Sequence, residues 1–185
     1  GGRYPRGTSA LTEAHGPVTL VHQPAQGELV HLEILVRAGS AHDPIGSEGL
    51  AHMTAQLMRQ GGAGQRSAEE VEAVLYRMGT DVEVVVDREM VAFRATCVAE
   101  DAPELARLMG SMLMAPKLQP AALSRIRDEA LIYLQQGLAQ NDETLGDAVL
   151  DAQLYAGHGY GHPVEGRAGV LPMLDEAQVR RFILE

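Results

Sequence analysis

Apolar residues recur along this chain with two different periods, and the switches between them outline the fold. Residues 18–21 and 28–37 read as strands, and in the second Val30, Leu32, Ile34 and Val36 alternate with His31, Glu33 and Arg37 at period two. Leu35 interrupts the polar side, which predicts that this face is partly covered. Pro24-Ala25-Gln26-Gly27 between the two runs predicts a hairpin turn. After a loop over 39–46, with Asp43-Pro44 as its turn signal, a helix is predicted over 48–60. Leu50, Met53, Leu57 and Met58 form its apolar stripe, and Gly61-Gly62 ends it. Ser67 and Glu70 make a capping box for the next helix, whose core face is Val71, Val74, Leu75 and Met78 and which stops at Gly79. Residues 81–86 and 90–98 read as a strand pair around Asp87-Arg88-Glu89. Asp101 is expected to cap a helix with Pro103 in its first turn, ended by Pro116. A long helical stretch over 120–155 is weakened near Gly137 and Asn141-Asp142, a glycine-rich loop covers 157–169, and a short helix spans 175–184. Paired strands and runs of helices predict an α+β fold with an antiparallel sheet covered by helices on one side.

Composition narrows the functional classes. The 185 residues carry a net charge of −10 and are 45% apolar and 22% charged, as in an ordinary soluble globular chain. The acidic balance and scattered Arg and Lys speak against a nucleic-acid partner. No apolar run is long enough for a membrane span. Cys97 is the single cysteine, which excludes an intrachain disulfide and a cysteine zinc cage and leaves a small core hydrophobe. The methionines fall mainly at helical core spacing. Arg125, Arg127, Asp128 and Glu129 read as a solvated, charge-paired helix face. His158 and His162 are four apart, but among glycines, so they read as loop residues rather than a metal pair.

The chemistry is concentrated in Arg37-Ala38-Gly39-Ser40, a short loop, Gly49-Leu50-Ala51-His52-Met53-Thr54-Ala55-Gln56-Leu57-Met58, and Gly61-Gly62. This run resembles the zinc-binding segment of the pitrilysin-like inverzincins, the family that includes the mitochondrial processing peptidase. In that family a strand ends in R-x-G-S and a helix begins G-L-A-H-x-x-E-H. Tyr160-Gly161-His162-Pro163-Val164-Glu165-Gly166 is similar to the family's H-P-Y-G-x-P-V-x-G loop, and the order of helices agrees from about Gly16 to Leu184. The resemblance implies the LuxS/processing-peptidase-like metallohydrolase architecture. It also implies one zinc ion held by two histidines at i and i+4 and a downstream glutamate, with a glutamate at i+3 drawing a proton from zinc-bound water.

Against that pattern His52 matches the first ligand, while Ala55 stands at the general base and Gln56 at the second histidine. The third ligand falls within 132–136, where the chain reads Ile-Tyr-Leu-Gln-Gln, and Glu129 lies about one turn earlier. Gly79-Thr80-Asp81-Val82 also lacks the family's Asn-Ala pair, which places peptide capture along the next strand in question. Arg59, on the same helix face, is a candidate to fill the vacated position with its own charge. The resemblance thus implies a non-catalytic homologue with no cofactor expected. Such a domain would wall a peptide chamber, paired with a catalytic homologue or a second homologous domain. Two alternatives stay open. One is an active zinc endopeptidase with an atypical set of His52, Glu129 and Glu48, which would need zinc. The other is a stand-alone scaffold that binds peptides without cleaving them. Residues 1–185 are read as one inverzincin-like domain, a piece of a longer multi-domain protein. The compartment is left open between periplasm and cytoplasm.

Overall fold

The computed structural model describes residues 11–15, 18–138 and 140–184. Among the described residues five strands form two antiparallel sheets. β1 (Leu11–His15) pairs only with β2 (Val18–His22), while β3 (Leu29–Val36), β4 (Glu83–Val86) and β5 (Val91–Val98) form a sheet of order β3-β5-β4. The hairpin expected around Pro24–Gly27 therefore does not form. β3 pairs along its whole length with β5, from Leu29 opposite Val98 to Val36 opposite Val91. Only that register sets Val30, Leu32, Ile34 and Val36 against the buried Cys97, Ala95, Phe93 and Val91. β2 is exposed at all five positions and has no face to offer. The Asp87 turn does join β4 to β5: its Oδ1 accepts from the Glu89 and Met90 amides at 2.7 and 2.6 Å.

Among the described residues there are six α-helices: α1 (Leu50–Gln60), α2 (Ala68–Met78), α3 (Ala102–Met114), α4 (Pro120–Ile132), α5 (Asp142–Leu154) and α6 (Glu176–Leu184). The capping box at α2 forms in full, and Gly79 closes the helix in the left-handed region. Asp101 sits at the N-cap of α3 but makes no side-chain cap bond. Its backbone is helical rather than extended, and its carbonyl alone accepts from Glu104 and Leu105. The expected long helix is broken. A π-helical segment, Tyr133–Leu138, follows α4, and Asn141 starts α5 afresh by accepting from the Thr144 amide.

Two apolar cores lie on opposite sides of α1. The first joins the inner face of the β3-β5-β4 sheet to α2, α3 and Ala55. The second joins Leu50, Met53 and Leu57 to α4, Leu171, Leu174 and Val179 of α6. Helices thus cover one face of the three-stranded sheet. On the other face Leu35 is exposed rather than covered, beside His31 and Glu33. Arg127 also leaves the expected solvated face of α4 and donates to the Leu174 carbonyl at 2.5 Å. Among the described residues no helix is long and apolar enough to cross a membrane.

Candidate functional site

The chain after β3 is shaped to deliver α1. Gly39 passes so close to the β4–β5 turn that a Cβ would lie 2.5 Å from the Arg88 carbonyl carbon and the Met90 nitrogen. At Gly49, φ is +102°, and a Cβ there would meet the Glu165 oxygen at 2.7 Å, so only glycine fits. The open N-terminus of α1 is capped from outside the helix. Asp43 accepts from the Gly49 and Ala51 amides, each at 2.7 Å. Burial raises the Asp43 carboxyl from 3.8 to about 6, against the lowering effect of those two bonds and of His162. His162 Nε2 stands 3.9 Å from Asp43 Oδ2.

This cap sets His52 in the first turn of α1, half-buried. Burial lowers its imidazole pKa, and the charge of Glu129 on α4 works in the opposite direction. Glu129 itself is held by Arg125 at 3.0 Å. Glu48 turns toward the glycine-rich loop, where its carboxylate is 3.8 Å from Arg167. Ala55, one turn after His52, is 3% exposed and belongs to the sheet-side core.

Gln56 lies on the rim of an open groove of about 730 Å³ between α1, the start of α2, Asp81–Val84 and Arg125 of α4. Its Oε1 accepts from Gln60 at 3.0 Å. Arg59 is buried in the same wall. It donates to the Val82 carbonyl at 2.9 Å and pairs with Glu72 at 2.5 Å and with Asp81. Burial disfavours its charge, but the two carboxylates outweigh that and hold its pKa above the ordinary guanidinium value. Its charge is therefore satisfied by α2 and the approach to β4.

In the 132–136 window Leu134 is buried in the second core, while Ile132 and Tyr133 are exposed. The π-helical turn begins at Tyr133 and shifts the helical register from there on. Tyr133 borders a second cavity of about 270 Å³ with Glu165, His162, Asp147 and Asp151. Glu165 raises the Tyr133 pKa, and burial raises that of Glu165. His158 accepts from the Tyr160 amide at 3.2 Å, apart from the buried His162. Among the described residues no three His, Cys, Asp or Glu side chains come together in a way that could hold a metal ion.

Sequence reasoning found His52, Ala55, Gln56 and Arg59 on one stretch, and the structure brings Glu129 within electrostatic reach of His52. It missed Asp43 as the cap of α1, because a carboxylate reaching back from six residues upstream leaves no fixed spacing. The Asp43-Pro44 turn was its only trace. It also missed Glu72 and Asp81, because ion partners on separate elements share no periodicity.

The model of the insulinase family, peptidase family M16, matches residues 18–167. The beta subunit of the mitochondrial processing peptidase from Dictyostelium discoideum is 20% identical over 95% of the chain and 37% of its own length. A probable mitochondrial-processing peptidase alpha subunit from Schizosaccharomyces pombe is 27% identical over 70% of the chain and 26% of its own length. Core protein I of the ubiquinol-cytochrome-c reductase complex from Euglena gracilis is 25% identical over 76% and 28%. The chain thus spans well under half of each of these relatives. Among solved structures, a peptidase M16 inactive domain from Pseudomonas fluorescens superposes with a TM-score of 0.86 at 22% identity, over 95% of this chain and 43% of that one. A protease from Helicobacter pylori gives 0.81 at 15% identity, over 94% and 42%.

Proposed function

Because the chain belongs to the insulinase family of peptidases, family M16, we propose that it serves there as a non-catalytic domain, walling a peptide chamber in partnership with a catalytic homologue or a second homologous domain. One observation carries this reading. The position of the general base is a methyl group closed into an apolar core, and its neighbour on the groove is an amide. Ala55 accepts no proton. Gln56 is a poor zinc ligand beside imidazole. A catalytic zinc needs three protein ligands and an open position. His52 with Glu129 falls short of that, so the residues present do not fit the family's metal, and no hydrolytic step is assigned to this chain.

Partnership is supported from two sides. The relatives are named as alpha and beta subunits and as a core protein of a complex. In this chain α5 buries none of its described residues, and Leu145, Val149, Leu150 and Leu154 stand exposed on it. A stripe of that kind fits a partner surface. The purified chain is expected to leave peptides uncut with or without chelator, and chelator-sensitive hydrolysis would sink the reading. Co-purification with a catalytic M16 domain, weakened by Val149→Asp, tests the pairing.

A scaffold that binds peptides alone is the second reading, favoured by the open groove beside the unpaired edge of β4. Peptide titration of the isolated chain separates it from the first, which expects binding only with a partner present. Zinc analysis after dialysis addresses the reach of Glu129 to His52. One tightly held zinc per chain would restore a metal site.

A further inference from the structure

Strand β4 is the edge of its sheet, and alternation decides which of its backbone groups face outward. The Asp87 amide donates to the Met90 carbonyl at 2.9 Å. Asp87, Val85 and Glu83 therefore turn their N–H and C=O groups toward β5. Val84 and Val86 turn theirs away from the sheet, and among the described residues no hydrogen bond reaches them. Val84 borders the groove and Val86 the second cavity, so this open ladder runs from one to the other.

Val82, one residue before β4, continues the alternation, yet its outward groups are taken. Arg59 Nε donates to the Val82 carbonyl at 2.9 Å, and Asp81 Oδ1 accepts from the Val82 amide at 2.7 Å. The same Oδ1 accepts from Arg59 Nη2, and Glu72 Oε1 accepts from Nη1 at 2.5 Å. The Arg59 side chain is 9% exposed and forms part of the groove wall. A strand added to this edge would bring an N–H to the Val82 carbonyl and a carbonyl to the Val82 amide. Arg59 and Asp81 already supply one donor and one acceptor there.

Given that an extended peptide adds to β4, as in the second reading above, we infer that Arg59 is a plug on that edge and sets the peptide's register: its guanidinium takes the place of a peptide N–H at Val82, so the peptide pairs only with Val84 and Val86. Val84 and Val86 each offer one donor and one acceptor, and Val82 would add one more of each. The plug is a side chain, so lifting it leaves the α1 backbone in place. Asp81 is 76% exposed, and once untied from Arg59 it can turn into water and yield to a peptide carbonyl.

The test titrates the whole chain with a fluorescent, N-acetylated hexapeptide of alternating valine and threonine. Carbonyl-carbon NMR shifts report where the peptide pairs. In wild type the peptide should shift the Val84 and Val86 carbonyls and leave Val82 in place. Arg59→Met keeps an unbranched stem in the wall and removes the donor. It should bind the peptide about tenfold more tightly, the yield of one or two added main-chain bonds, and the peptide should then shift Val82 as well. Arg59→Lys keeps a donor within reach of Val82 and should stay within about twofold of wild type. Urea unfolding of each variant checks that the folded chain is being titrated. Equal affinity of wild type and folded Arg59→Met would overturn the plug and leave peptide addition to β4 standing. A wild-type complex that already shifts Val82 would overturn it too, without recourse to any variant. Binding to neither chain would remove peptide addition itself, and the plug with it.

Discussion

Placing glutamate back at position 55 ought to damage this chain before it helps it. Ala55 is 3% exposed and packs with the sheet-side core. It does not line the groove, although Gln56 and Arg59, which follow it on the same helix, do. Ala55→Glu thus adds a polar group to an apolar site. Burying an unpartnered polar group costs about 2–7 kcal/mol depending on the reference state, and the added volume costs about 1–3 kcal/mol more where packing is close. Some of this is relieved if the carboxyl bends toward Arg59, so about 3–4 kcal/mol is the expected net loss. At this chain length that corresponds to a fall in Tm of about 6–16 °C. The sign with pH is also fixed. The new carboxyl is buried, so its folded pKa is raised, and the damage should be smaller at pH 4 than at pH 7. Urea unfolding followed by circular dichroism at both pH values, with and without zinc, measures each part. Adding Gln56→His should not rescue stability by zinc. An Ala55→Glu chain as stable as wild type, or a double variant that binds one zinc and gains stability from it, would show that position 55 opens onto the groove and would refute the packing argument.

Three further outcomes follow from particular contacts. Arg59→Ala should cost about 2–3 kcal/mol in urea unfolding, chiefly through lost packing and the unpaired Val82 carbonyl, because Glu72 and Asp81 are largely exposed; Arg59→Met should cost less. Gly49→Ala combines a positive φ with a Cβ 2.7 Å from the Glu165 oxygen, and should lower stability by at least about 2 kcal/mol. Cys97 is buried and burial raises its pKa, so it should react with a thiol reagent only at the rate of unfolding, in a kinetic trace that urea accelerates.

Local chemistry made much of this fold legible. The capping box at Ser67 and Glu70, the Asp87 turn and the alternation of Val91, Phe93, Ala95 and Cys97 each act within a few residues, and each is found in place. Pairing between distant strands was not legible. Nothing near Pro24 records that β3 finds its partner some sixty residues later. The break after α4 was half legible: Gly137 and Asn141 marked its place, but a π-helical turn beginning at Tyr133 has no spacing signature. At the site, the identities of residues 52, 55 and 56 were plain, whereas the direction of the Ala55 methyl into a core depended on β4 and α2 arriving from elsewhere.

The position of α1 between both apolar cores carries a consequence for how the chain melts. Both interiors draw on that helix, the sheet core through Ala55 and the helical core through Leu50, Met53 and Leu57. The two halves cannot come apart in sequence while α1 stays wound. Heat should therefore open them in one cooperative step, with the calorimetric and van't Hoff enthalpies equal, and a defect on either face of α1 should lower a single shared transition rather than split it.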